Sequence, residues 1–265
     1  MLALGSSLVP PLTRCQGARP GWQAEPPRLR RVATPSSQGV HVAKAVIFDV
    51  DGTLIDSVDQ HAASWAVTLR RYGCSVSHDE VRRQIGKGGD QLMPVFLPPE
   101  TVERQGEEIE AFRKDLFMRD YLPKVRGFPA VPELFRRLRD AGQRIVLASS
   151  AKGDELEHYK RIAGITDLVD AETSSDDAER SKPFPDIFLA AMQRLAPLRV
   201  EDVVVVGDTP YDAEAAVKAG LRPVGVLCGG FPPADLRKAG CIALYRDPAE
   251  LLARYEESPL AATRP

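Results

Sequence analysis

Four stretches of this 265-residue chain place reactive side chains beside short apolar runs. They are Phe48-Asp49-Val50-Asp51-Gly52-Thr53-Leu54, Leu147-Ala148-Ser149-Ser150, Ser181-Lys182-Pro183, and Val206-Gly207-Asp208-Thr209-Pro210-Tyr211-Asp212. Carboxylates that converge on one point repel unless a cation neutralises them, and oxygen-only ligands select a hard ion such as Mg²⁺. A lysine and a serine hydroxyl beside them suit the remaining oxygens of a phosphoryl group. One carboxylate can act as nucleophile, and a second, two residues on, as general acid and then base. Gly52 lets the chain turn sharply and come close to a ligand. Together the residue types read as a phosphoryl-transfer site.

These groups work only if the fold brings them together. Ala45-Val46-Ile47-Phe48, Ile145-Val146-Leu147-Ala148 and Val203-Val204-Val205-Val206 are continuous apolar runs, the pattern of strands buried on both faces. Further strands are expected near 168–172, 224–227 and 242–245. Helices are expected over 58–72, about 100–122, 153–163, 186–195, 210–219 and 233–239. One more ends near Gly142, and a last one starts at Pro248. Ser77 with Glu80 is a capping-box signature. Strand and helix alternate from residue 129, whereas 56–125 is all helical. The expected fold is α/β: a doubly wound, Rossmann-like parallel sheet with a helical cap inserted after its first strand. In such a sheet, ligands bind beyond the carboxyl ends of the strands, where all four stretches fall.

At this point the sequence resembles the haloacid dehalogenase superfamily, over about residues 43–257. Asp49-Val50-Asp51-Gly52-Thr53-Leu54 matches its D-x-D-G-T-L signature, Ser149 the second motif, Lys182 before Pro183 the third, and Gly207-Asp208 through Asp212 the fourth. The resemblance implies that Asp49 is the phosphate-accepting nucleophile and a Mg²⁺ ligand. It implies that Asp51 is the general acid/base with its carbonyl on the metal, and that Asp208 is the second carboxylate ligand. Ser149 and Lys182 would hold phosphoryl oxygens, and Asp212 would support the metal or the lysine. Asp51 favours phosphatase or phosphomutase chemistry, because an alkoxide leaving group needs a proton.

The insertion resembles the small helical cap of the branch that holds phosphoglycolate phosphatases and beta-phosphoglucomutase. His61 stands where the mutase pattern has a histidine, and Lys87, in the loop Gly86–Asp90, where that cap contacts substrate. Against the mutase, the fourth motif reads Gly-Asp-Thr-x-x-Asp, the hydrolase form. The expected domains are thus an N-terminal extension (1–40), a core (41–57 and 126–258) and a cap (58–125). The expected function is hydrolysis of a small phosphomonoester, a sugar phosphate or a phosphoglycolate-like compound. A sugar phosphomutase and a non-catalytic phosphate-binding module are the alternatives. Competing readings stand beside the weaker assignments. Asp212 could simply cap a helix, Ser150 could replace Ser149, His61 could be a packed histidine and Lys87 a solvated one. Asp176 and Asp177 read as a solvated acidic loop.

Composition narrows the classes further. The chain carries 35 Lys+Arg against 37 Asp+Glu, which gives no support to nucleic-acid binding. No apolar run reaches the roughly 18 residues of a membrane span. Four scattered cysteines form no C-x-x-C pair, which argues against a disulfide scaffold or zinc site. The expected partner is a small phosphorylated metabolite, with no nucleic acid and no membrane; oligomeric state is unreadable. Residues 1–40 hold five arginines, one acid and six prolines. They read as a disordered tail, an over-extended start or a transit peptide, so the expected location is cytoplasmic with an organelle as the alternative.

Overall fold

A computed structural model describes residues 43–151 and 153–261. The N-terminal extension, with the targeting alternative attached to it, lies outside the described residues.

The fold grows from β1 (Ala45–Phe48), four apolar residues with no solvent contact. It is flanked in parallel by β4 (Arg144–Ala148) and β6 (Val203–Gly207), with Ile47 level with Val146 on one side and Val205 on the other. β5 (Ala171–Thr173) extends the β4 side. β7 (Arg222–Val226) and β8 (Ala243–Tyr245) extend the β6 side. The six-stranded order is therefore β5-β4-β1-β6-β7-β8, all parallel. The chain runs from β1 out to β5 and returns to β6, so the switch point is the gap between the ends of β1 and β6.

Alternation along the strands builds two cores. Val46, Phe48, Val204 and Val206 face one layer, which holds α5 (Val131–Asp140), α6 (Asp154–Ile162) and α10 (Pro248–Ala253). Ala45, Ile47, Val203 and Val205 face the other, formed by α7 (Asp186–Arg194) and α8 (Pro210–Lys218). The short helix α9 (Pro233–Ala239) links β7 to β8. Two edge details differ from the sequence expectation. The 168–172 strand is formed at 171–173, because the preceding residues are spent on a turn closed by Leu168 N–H to Ile165 O. The 224–227 strand begins at Arg222 and ends at Val226.

The helical block comprises α1 (Val58–Arg71), α2 (His78–Arg82), α3 (Gly89–Phe96) and α4 (Pro99–Leu116). Its own core includes Trp65, Leu69, Leu92 and Ile109. Ser77 and Glu80 form the expected reciprocal capping box. Helix α3 is not announced by the sequence, because Gly88-Gly89 at its start and Pro94 within it are both loop signals. The helix expected over 100–122 is α-helical to Leu116, widens into a π-helical turn over Phe117–Tyr121 and then closes with a 3₁₀ turn to Lys124. The block does not leave β1 directly. Both crossings are joined by a small antiparallel pair, β2 (Ile55–Asp56) with β3 (Arg126–Gly127).

No helix among the described residues is long and apolar enough to cross a membrane. Phe188 is fully buried beneath the sheet. Phe188→Ala is expected to cost about 3–5 kcal/mol through lost burial and the cavity it leaves, read as a lower urea midpoint at unchanged slope.

Candidate active site

The carboxyl ends of β1 and β6 bring three carboxylates together. Ligand atoms of Asp49, Asp208 and Asp212 lie within 4.8 Å of one another, and all three residues are buried. Asp49 follows β1 and its N–H donates to Val206 O at 2.9 Å, which ties the two strand ends together. The turn beyond it closes with Leu54 N–H to Val50 O at 2.8 Å and places Gly52 at φ +77°. Thr53 Oγ1 stands 3.2 Å from Asp49 Oδ2 and 3.0 Å from Asp208 Oδ1, so one hydroxyl proton is shared between two acids.

Lys182 enters from the loop before α7 and is also buried. Its ammonium bonds Asp49 Oδ1, lies 2.8 Å from Asp212 Oδ1 and donates to Ala148 O at 3.2 Å. Asp212 does both things that the sequence left open. Its Oδ2 accepts from Thr209 N and Oγ1 at 3.0 and 2.6 Å, a capping box for α8, while its other oxygen pairs with the lysine.

Burial, then the charge of Asp212, push the Asp49 carboxyl up to about 7 despite Lys182. Burial and Asp49 likewise raise Asp208 well above the ordinary carboxylate range. Burial works against the charge of Lys182, but Asp212 and Asp49 outweigh it and hold the ammonium protonated. One lysine against three acids leaves negative charge in a dry site, an arrangement that a bound cation corrects.

The donor set fits such an ion. Asp208 Oδ2 is buried and has no hydrogen-bond partner. Two glycines leave the space beside it: a Cβ on Gly52 would stand 2.4 Å from this oxygen, and one on Gly229 only 1.6 Å. Oxygen-only donors and an orphaned carboxylate oxygen suit a hard divalent cation.

Asp51 points elsewhere. Its Oδ1 accepts from Ser57 Oγ at 2.6 Å and meets His61 Nε2 at 2.7 Å, so its carboxylate is not part of the acidic cluster. His61 lies on α1, buried, with its ring stacked 4.2 Å from that of Phe117. Its Nδ1 receives a hydrogen bond from Arg113 of α4. A guanidinium only donates, so Nδ1 accepts and the ring proton resides on Nε2, directed at Asp51. Tyr159 Oη is 3.3 Å from the same Nε2 and donates to Glu155 at 2.7 Å. Burial by itself would raise Asp51, but His61, Ser57 and Arg113 together hold it below the ordinary value. The two acids of one signature thus face opposite environments.

A cavity of about 490 Å³ opens above these groups, between the sheet ends and the helical block. Asp49, Asp51 and His61 line its floor; Lys87, Arg113 and Trp65 line its upper wall. Lys87 is held by Gln84 Oε1 at 2.7 Å, and burial lowers its proton affinity. Of the two serines, Ser150 lines the cavity, together with Ala151. Ser149 is buried behind it, its Oγ accepting from Ala151 N at 3.0 Å. Asp177 is not simply solvated: it pairs with Arg194 at 2.9 Å and caps its own turn at Ser174. Thr53 was visible inside the signature but carried no separate weight. Arg113, Tyr159 and Glu155 carry no local signal, since each is an ordinary helix residue until the fold aims it.

A doubly wound sheet with a buried, lysine-clamped acidic centre at its switch point defines an α/β enzyme core with a helical insertion over its site. The chain belongs to the haloacid dehalogenase-like hydrolase family, whose pattern matches residues 46–226. It is 28% identical to the phosphorylated carbohydrates phosphatase of Thermotoga maritima, over 81% of this chain and 99% of that one. It is 27% identical to a phosphoglycolate phosphatase of Aquifex aeolicus, over 70% and 85%. A solved hydrolase structure from Pseudomonas syringae superimposes with a TM-score of 0.70 at 28% identity, over 81% of this chain and 98% of that one.

The raised acids predict a pH signature. With folded pKa values above the unfolded one near 3.8, the folded metal-free protein binds more protons than the unfolded chain between about pH 4 and pH 7. Its stability therefore falls as pH rises through that window. A divalent cation competes with those protons, so the melting-temperature gain from added Mg²⁺ is expected to grow from pH 5 to pH 8, and to be largely lost in Asp208→Asn. Scanning fluorimetry at fixed ionic strength measures both.

Proposed function

We propose that this protein is a Mg²⁺-dependent phosphatase of small phosphomonoesters that works through an aspartyl phosphate on Asp49. The observation that carries the reading is the lysine-clamped Asp49 beside the orphaned Asp208 oxygen, with Asp51 held separately over the same cavity. The names of the relatives support the same reaction class.

In this reading Lys182 and Thr53 fix both oxygens of Asp49, one on each side, so that the carboxylate meets phosphorus without a search over rotamers. The ion, held by Asp49, the Asp51 carbonyl and Asp208 with Asp212 in support, would supply charge neutralisation for the phosphoryl oxygens. Asp51 gives its proton to the leaving alkoxide as the phosphorus–oxygen bond of the ester breaks. It then takes a proton from water, which attacks the aspartyl phosphate and frees phosphate and Asp49. Lys182 and Ser150 steady the phosphoryl oxygens, with Ser149 bracing that turn from behind by accepting from Ala151 N. The block over 58–125 serves as a cap that excludes water from the intermediate, and Lys87 faces the substrate from it.

His61 stabilises the carboxylate that Asp51 becomes once it has given up its proton, which is the form that activates water. The same contact is the one observation that favours the mutase reading, in which the intermediate is passed to a second hydroxyl. Incubation with a hexose phosphate separates the two: phosphate release without isomer formation is expected.

With p-nitrophenyl phosphate and Mg²⁺, Asp49→Asn is expected to lose activity on the order of 10³-fold or more, as is wild type in excess chelator. Persistent turnover in either sinks the nucleophile or the metal assignment. His61→Leu removes the donor that lowers Asp51. The alkaline limb of its kcat/KM profile, on which Asp51 loses the proton it gives to the leaving group, is expected to move to higher pH, a shift that loss of packing alone does not produce.

A further inference from the structure

A second cavity, of about 600 Å³, lies at the seam between the helical block and the core, outside the catalytic one. The end of α2 forms one wall, through Arg82, Arg83 and Gln84. Helix α8 and the Gly230–Ala239 segment form the other. Its volume falls in the range of small-molecule sites.

The lining has a definite chemistry. Tyr211 and Phe231 meet edge to face at 6.0 Å, and Val217 beside them is half exposed although apolar. Four basic residues share the wall with two acids, Glu214 and Asp235. Two of the bases are engaged: Arg82 by Asp59 at 2.7 Å, and Lys218 by the Pro183 carbonyl at 2.7 Å. The other two, Arg83 and Lys238, are exposed and enter no salt bridge among the described residues, although the charge of Arg83 helps to lower the Glu80 carboxyl. An aromatic and apolar floor beneath two exposed cations that form no salt bridge matches a small organic anion with a flat apolar body.

The seam cavity is also wired to the catalytic one. Lys87, on the catalytic wall, is held by two residues that line the seam: Gln84 accepts from its ammonium at 2.7 Å, and the Tyr211 ring lies 4.8 Å beneath it. The Tyr211 hydroxyl bridges to the block by donating to Arg83 O at 2.7 Å. Behind it the wall is thin, for a Cβ on Gly86 would stand 2.6 Å from Thr209 Cγ2.

We propose that the seam cavity is a second ligand site, for a small amphipathic organic anion, and that its occupant controls turnover by bracing Gln84 and Tyr211 and so fixing Lys87 and the block against the core. Its anionic group meets Arg83 and Lys238, and its ring lies on Tyr211, Phe231 and Val217. An occupant touching both walls resists opening and slows product release, which lowers kcat.

The probe is 8-anilinonaphthalene-1-sulfonate, which joins a flat apolar body to one negative charge. Fluorescence titration of the folded full chain is expected to show saturable binding that Mg²⁺ with saturating inorganic phosphate does not displace. Arg83→Glu with Lys238→Glu is expected to weaken it at least tenfold, and the milder Arg83→Gln with Lys238→Gln severalfold, with melting temperatures showing that both variants fold. In p-nitrophenyl phosphate hydrolysis the probe is expected to lower kcat, and substrate saturation is not expected to restore it. Gln84→Ala, which removes the acceptor that holds Lys87, is expected to bind the probe but to lose most of this effect. Absence of saturable binding, displacement by phosphate, or unchanged affinity in the charge variants overturns the site. Inhibition relieved by substrate overturns the coupling. The binding arms need no turnover, so they decide the site even if the phosphatase reading fails.

Discussion

The constraint on which the rest of this structure depends is the burial of three carboxylates around one lysine. Taking like charges out of water is costly, and a single ammonium does not cancel the cost. The fold responds in several ways at once. Two strands with no solvent contact carry Asp49 and Asp208 to the same depth, and a backbone hydrogen bond between their ends holds that spacing. Thr53 divides one proton between the two acids, and Thr209 with the start of α8 absorbs half of Asp212. One oxygen, Asp208 Oδ2, is left with nothing. Its isolation is sterically enforced, since side chains at 52 and 229 would occupy the space next to it. A protein selected for stability alone would not keep such an oxygen at the centre of its sheet; one that must hold a cation there would.

Against that centre, Asp51 illustrates how environment separates two acids that are two residues apart. Asp49 looks toward other carboxylates and is raised; Asp51 looks toward His61, Ser57 and Arg113 and is lowered. The chain turns immediately after Asp51, at Gly52, and so leaves the strand end beside the acidic cluster. Arg113 acts at one remove, because it binds the histidine nitrogen that faces away from Asp51 and so decides where the ring proton lies. The Asp51 carboxylate is thus tuned from α4, an element remote from it in sequence. Charge placement in the helical block and acid–base behaviour in the core are one system.

What could be read in the sequence follows from which interactions are local. The strands around Asp49, Ser149 and Asp208 were legible because burial on both faces leaves an unbroken apolar run. The convergence of Asp49, Asp208 and Lys182 on one site is legible because each follows such a run or precedes a helix at a recognisable spacing. Asp212 was ambiguous for a physical reason: capping a helix and holding a lysine call for the same residue, and it does both. His61 was a weak candidate because its meaning lies in Arg113 and Tyr159, which are 52 and 98 residues away. The exchange of Ser150 for Ser149 at the cavity wall turns on backbone direction after β4, which apolar periodicity does not encode. Helix α3 was hidden by glycines that serve the docking of the loop before it rather than the end of an element.

The attachment of the helical block explains why the seam matters. Both of its crossings pass through the two-residue pair β2 and β3, where Ile55 is level with Gly127, so the block is fastened at one edge. At the other edge it rests on the core through polar contacts of low individual strength: Asp90 accepts from Ser181 N at 3.1 Å, and Arg83 O accepts from Tyr211. The apolar cluster of α1 to α4 is separate from those of the sheet, whereas Phe117, Leu122 and Val125, toward the fastened edge, pack into the sheet's core. An element fastened strongly on one side and weakly on the other opens at the weak side, and a modest binding energy supplied there shifts its position. The free edge carries Lys87 and the loop that covers the reactive carboxylates. Control of the chemistry through that edge therefore requires no change in the sheet or in the acidic centre, only a ligand that spans the gap.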